Sequence, residues 1–185
     1  MGRVIYSVAS SLDGYNTDES GDYSWAEPTT EVISALTDDA SSVSTYLYGR
    51  RMYNAMAGWE TDPSLTAGSA EVARFAAVWQ AAQKVVFSRT LPDVWTTRTR
   101  LERELTVATV QAAKDQAAGD LTIEGTTIAR SALHLGVVDV IELLVCPVIV
   151  GGGSRVLPEG LQASLTLTHQ RRFSNGMVQL TYTCA

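Results

Sequence analysis

Three short stretches gather residue types that could hold a phosphorylated ligand. Gly49-Arg50-Arg51 follows the apolar run Tyr46–Tyr48, Ser88-Arg89-Thr90 follows Val85–Phe87, and Glu124-Gly125-Thr126-Thr127 follows Leu121–Ile123. Each reads as a buried strand that ends on small, hydroxylic or cationic residues and runs on toward a helix. In an open parallel sheet, ligands sit at the carboxyl ends of the strands. There glycine lets backbone approach a phosphate, helix N-termini present free amides, and Arg with Ser or Thr completes the cradle. The same residues also suit ordinary helix capping beside solvated arginines. Spacing alone leaves both readings open.

Other constellations carry less chemistry. In Gly151-Gly152-Gly153, Val156 stands where a dinucleotide fingerprint needs its third glycine, and no crossover unit follows. The run reads as a flexible turn leading to Pro158. His134 and His169 lack partner spacing for zinc or for a nucleophilic triad, so no metal site is expected. Cys146 and Cys184 are too few for a disulfide framework and read as free thiols in a reducing cytoplasm.

The elements that must position these residues follow from pattern. A strand is predicted at Arg3–Ala9, then a loop at Ser10–Ser24 with four acidic residues, long enough to be functional. Pro28 opens a predicted helix with Val32, Ile33 and Leu36 on its apolar face. After the strand at Thr45–Tyr48 comes a short helix over Arg50–Ala57, a linker over Trp59–Ser69, and a helix over Ala70–Gln83. Further strands are predicted at Leu105–Ala108, Leu121–Ile123 and Val138–Val145, with a helix running to Ala118 after the first. Another starts at Thr126 or Thr127, with Ile128, Ala132 and Leu135 as its face and Gly136 ending it. Asn175-Gly176 is a hairpin signal between strands at about Ser164–Phe173 and Met177–Thr183.

Strands alternating with helices, then strands alone, predict an α/β fold with a mostly parallel sheet and a terminal antiparallel hairpin. With 185 residues, 45% of them hydrophobic and 18% charged, the chain reads as one globular domain over residues 1–185. The net charge of −6 offers no broad footprint for nucleic acid or an anionic membrane. Asp139, Glu142 and Pro147 break the longest apolar stretch, Val137–Val150, which is too short to span a bilayer. No cleavage-type leader is recognisable, and a cytoplasmic protein is expected.

Taken in order, Ser11-Leu12-Asp13-Gly14, Trp25, Gly49-Arg50-Arg51-Met52-Tyr53, Val86-Phe87-Ser88-Arg89-Thr90, Glu124-Gly125, Asp139, Pro147 and Gly151 resemble the dihydrofolate reductase-like superfamily. More closely, the chain is similar to the branch holding the reductase domain of the bifunctional riboflavin-biosynthesis deaminase/reductase. The resemblance implies a three-layer fold, NADPH bound across the carboxyl edge of the sheet, and hydride transfer to a pterin- or pyrimidine-like heterocycle. It implies that Gly49, Arg50 and Arg51 hold cofactor phosphates, that Ser88 and Arg89 lie around the adenosine 2'-phosphate, and that Gly125, Thr126 and Thr127 lie under the pyrophosphate. Ala9 would present its backbone to the nicotinamide amide, and Asn16 would lie near the nicotinamide ribose. It also implies a homodimer.

Departures concern the substrate half. The substrate-binding carboxylate of dihydrofolate reductases falls on Thr30, with Glu31 next to it, and the arginine for a glutamate tail falls on Ala82. Between Glu27 and Asp39 there is no Lys or Arg to hold a ribose phosphate, and Thr126 replaces a second glycine. Asp13, Trp25, Thr30 and Glu31 are the candidates for orienting substrate or delivering a proton. Asp13, in a Leu-Asp-Gly turn, equally suits a bond to its own backbone, and Glu31 equally suits a solvated helix position. A non-catalytic module that binds NADPH on the same fold is the alternative to a reductase.

Overall fold

The computed structural model describes residues 2–185. Along the chain run β1 (Val4–Ser11), β2 (Tyr15–Thr17), α1 (Thr30–Ala40), β3 (Val43–Gly49), α2 (Arg50–Met56), α3 (Gly58–Thr61), α4 (Pro63–Thr66) and α5 (Ala70–Ala81). They are followed by β4 (Gln83–Phe87), β5 (Thr99–Glu102), α6 (Val107–Gln116), β6 (Asp120–Glu124) and α7 (Thr126–His134). The last strands are β7 (Val140–Cys146), β8 (Ser154–Arg155), β9 (Leu165–Arg172) and β10 (Val178–Cys184). Eight strands form one sheet in the order β5-β4-β3-β6-β1-β7-β10-β9, while β2 pairs with β8 apart from it. From β5 to β7 every pairing is parallel, and β10 runs antiparallel to both β7 and β9. This is the mostly parallel sheet with a terminal hairpin that the pattern predicts.

Alternation along the strands decides the layers. Leu47 of β3 faces the side that holds Val4, Tyr6, Val8, Leu121 and Ile123 beneath α6 and α7. Its neighbours Tyr46 and Tyr48 face the other side, where Trp79 of α5 covers them together with Val86. Val32 of α1 closes that second side over Leu144 and Cys146. Helices therefore cover both faces, giving three layers. Fully burying an aliphatic side chain of this kind contributes roughly 1.5–3 kcal/mol, so the central strands form a firm base for whatever their ends carry.

Some elements differ from the sequence expectation. The first helix begins at Thr30 with Thr29 as N-cap, two residues after Pro28. Thr106, expected within a strand, instead caps α6: its hydroxyl accepts from Thr109 N, and the Thr109 hydroxyl accepts from Thr106 N. The strand position beside β4 goes to Thr99–Glu102, a polar sequence without an apolar run to announce it. The Trp59–Ser69 linker contains the single turns α3 and α4. On α7 the buried face is Ile128, Ala129, Ala132 and Leu133, and Leu135 is exposed. The helix closes in a Schellman turn, with Val137 N bonded to Ala132 O and Gly136 N to Leu133 O. Gly136 has a φ of 66° there, as that turn requires.

The Gly151–Gly153 run also has a more specific use than a flexible turn. A Cβ at Gly153 would overlap the Thr17 carbonyl oxygen, and its φ is 119°. The two loops at this edge are laced together. Leu12 N bonds to Val148 O, Val156 N to Gly14 O, and Tyr15 pairs with Arg155.

Candidate active site

At the carboxyl ends of β1, β3, β4 and β6, two cavities meet. The larger, about 1300 Å³, is lined by Gly49, Arg50 and Arg51, by Ser88 and Arg89, and by Gly125, Thr126 and Thr127. The smaller, about 260 Å³, is lined by Ser7, Ala9, Leu36, Glu124 and Leu144 among others. Asn16, Met52 and Gly125 line both and mark the passage between them. All ten residues expected to bind cofactor thus surround one continuous space.

Local folding explains each position. β3 leads into α2 at Gly49, so Arg50 and Arg51 stand at the strand end, where both are exposed. Arg50 Nη1 donates to Thr90 Oγ1 at 2.9 Å, which ties that end to the Ser88–Thr90 turn. The Ser88 hydroxyl accepts from Leu91 N at 3.0 Å and shapes the turn from within. Arg103 Nη1 donates to the carbonyls of Ser88 and Leu91, at 3.2 and 2.7 Å. Gly125 precedes α7 with a φ of 100°, and a side chain there would come within 3.3 Å of Met52 Cβ. The Thr126 hydroxyl is 2.9 Å from that of Ser154. Ala9 O accepts from Asn16 Nδ2 at 3.1 Å, so its carbonyl already has a partner.

The four residues expected to act on substrate do not converge, and none lines the smaller cavity. The Asp13 carboxylate accepts from Val150 N at 3.2 Å and Gly151 N at 2.8 Å. With Ser11 and these amides beside it, the Asp13 carboxyl lies below the usual range and stays ionised at neutral pH. It pins the two loops together. Glu31 accepts from the Ser174 hydroxyl and from Ser174 N, the latter at 3.1 Å, which likewise lowers its pKa. It fastens α1 to the β9–β10 turn. Thr30 is exposed in the first turn of α1. Trp25 packs on the cluster of Val32, Leu144 and Phe173, and its indole N–H is buried without a partner. Ala82 packs in the core beside Trp79.

The acid that the cavity does contain is Glu124, the last residue of β6. The residue keeps some accessible surface toward the cavity, and desolvation pushes its carboxyl up to about 7. It is the only ionisable side chain among the lining residues of the smaller cavity. A carboxyl that holds a proton near neutral pH, at the passage between two cavities, can serve as a general acid. Its signal in the sequence was an acidic residue closing the buried run Leu121–Ile123 just before Gly125.

The larger cavity exceeds the roughly 300–1,000 Å³ of a typical small-molecule site. Its exposed arginines and its glycine turn at the head of a nine-residue helix fit a dinucleotide with several phosphates.

Comparison with known proteins bears on the fold and the family. The uncharacterized protein YyaP of Bacillus subtilis (strain 168) is 24% identical over 187 residues, covering 97% of this chain and 94% of that one. A protein from Shewanella sp. PV-4 ascribed to riboflavin biosynthesis superposes with a TM-score of 0.78 at 18% identity, covering 100% and 99% of the two chains. Dihydrofolate reductase from Enterococcus faecalis, in complex with NADP(H) and RAB-propyl, gives a TM-score of 0.61 at 11% identity, covering 99% and 96%. Identities this low establish the shared fold alone. The model of one family matches residues 3–179. On that match, which takes in both cavities, the chain belongs to the RibD C-terminal domain family.

Proposed function

We propose that this protein is an NADPH-dependent reductase of a small, uncharged pterin- or pyrimidine-like heterocycle, acting on a C=N or similar bond. The observation that carries the reading is Glu124, a carboxyl protonated near neutral pH in a small cavity that opens into a large basic cleft. A reduced nicotinamide dinucleotide bound in the cleft supplies a hydride. Arg50, Arg51 and Arg89 hold its phosphates, Gly125 lets its backbone approach, and Asn16 borders the point where the two cavities join. Glu124 delivers the proton that completes the reduction, to the heteroatom of the reduced bond. Leu36, Met52 and Leu144 line the same cavity around it.

The choice of NADPH over NADH rests on the arginines, since bidentate guanidinium groups suit the extra 2'-phosphate. The restriction to a small uncharged substrate rests on the lining of the inner cavity, where Glu124 is the single ionisable group and no cation awaits a glutamate tail or a ribose phosphate. Burying such an anion unpaired costs several kcal/mol. Activity on dihydrofolate, or on the phosphoribosyl-aminopyrimidine of riboflavin biosynthesis, is therefore expected to be negligible. Further parts of the reading are a cytoplasmic location, in keeping with two free cysteines, and a homodimer.

The test is fluorescence titration with NADPH and NADH, followed by NADPH oxidation with a panel of pterins, pyrimidines and small carbonyl compounds. Tighter binding of NADPH and turnover on an uncharged panel member are expected. Binding without any turnover would instead favour the non-catalytic module.

A further inference from the structure

Glu124 is held from inside the sheet. In the parallel pairing of β3 with β6, Tyr48 stands opposite Glu124, so the two side chains leave the same face side by side. Tyr48 is fully buried, and its oxygen accepts from Trp79 Nε1 at 2.9 Å. An indole nitrogen can only donate, so the Tyr48 proton cannot lie along that bond and must point elsewhere. Glu124 is the carboxyl aligned with it across the β3–β6 register and is the acceptor available on that side.

We propose that Tyr48 is a positioning residue for Glu124, with Trp79 fixing the direction in which its hydroxyl donates. The proposal rests on the reading of Glu124 as the proton donor. The relay Trp79–Tyr48–Glu124 opposes burial. Enclosure raises the Glu124 carboxyl, and the phenol's hydrogen bond to the carboxylate pulls it part of the way back. The result is an acid poised near neutral pH that can be lost and regained during turnover.

Little else competes for control of this group. Tyr46, stacked on Tyr48 with ring centroids 5.5 Å apart, is the other titratable side chain facing it from β3. β1 presents Ser7 and Ala9, β2 presents Asn16, α1 presents Leu36 and α2 presents Met52, none of them ionisable.

The test is the titration of Glu124 by carbon-13 NMR in protein labelled at the glutamate carboxyl carbon, with Glu124→Gln identifying the resonance. Tyr48→Phe keeps the ring and removes the hydroxyl, so the Glu124 midpoint should rise by about one pH unit. Uniform incorporation of 3-fluorotyrosine, whose hydroxyl is the stronger donor, should move the midpoint down and serves even if Tyr48→Phe fails to fold. A midpoint unchanged in either folded protein would overturn the proposal. Turnover is read separately. A moved midpoint with no NADPH oxidation keeps the relay and removes the reductase reading; turnover with an unmoved midpoint does the reverse.

Discussion

Holding Glu124 protonated has a consequence for folding that can be measured without a substrate. Its carboxyl titrates at about 7 in the folded chain, against an ordinary 4.5. Between those values the folded state keeps a proton that the unfolded state has already released. Stability therefore falls as pH rises through this window, and the loss is complete above the folded value. At about 1.4 kcal/mol per pH unit the loss approaches about 3 kcal/mol, a large share of the roughly 5–15 kcal/mol that holds a domain together. Glu124→Gln preserves the shape and can accept the Tyr48 proton, yet it cannot ionise. The variant should match the parent protein near pH 4.5 and exceed its stability by about 3 kcal/mol near pH 8. Urea unfolding at the two pH values measures this, and other titrating groups cancel in the difference. A difference that does not change with pH would refute the reasoning, because Glu124 would then titrate alike in both states.

Arg50→Ala combined with Arg89→Ala should weaken NADPH binding at least about tenfold and NADH binding by less, so that titration of both cofactors would show the gap between them narrowed. Gly153→Ala should cost about 1–3 kcal/mol, because φ is 119° and the added carbon meets the Thr17 carbonyl; thermal melting and NADPH affinity should fall together, since Thr17 adjoins Asn16. The edge strand β9 exposes Leu165 and Leu167, an open edge of the kind proteins cover. Sedimentation at micromolar concentration should find a dimer, and Leu167→Lys should shift it toward monomer.

What was legible in the sequence divides along physical lines. Strand ends such as Tyr48-Gly49-Arg50 and Phe87-Ser88-Arg89 carry their own signal, because an apolar run stops abruptly on small or charged residues. Their convergence then follows from parallel topology. β5 was not legible, since Thr99-Arg100-Leu101-Glu102 is an edge strand recruited by pairing rather than by hydrophobicity. The setting of the carboxylates was hidden for a related reason. Asp13 and Glu31 have acidic side chains at suggestive places, yet the distant backbone amides of Val150 and Gly151 and the Ser174 group take up their lone pairs, which no spacing rule reveals. Glu124 hid because its raised pKa comes from desolvation among elements distant in sequence, such as Leu36 of α1 and Met52 of α2.

The most direct test of the central claim is the pH dependence of kcat/KM for NADPH-driven reduction, measured on the parent protein and on Glu124→Gln with one accepted substrate. The parent rate should be level below about pH 7 and fall about tenfold per pH unit above it, as the acid loses its proton. Glu124→Gln should lose about 100-fold or more at low pH and show no such limb, while binding NADPH as tightly as the parent. A Glu124→Gln protein that turns over at the parental rate, or that keeps the same limb, would contradict the account.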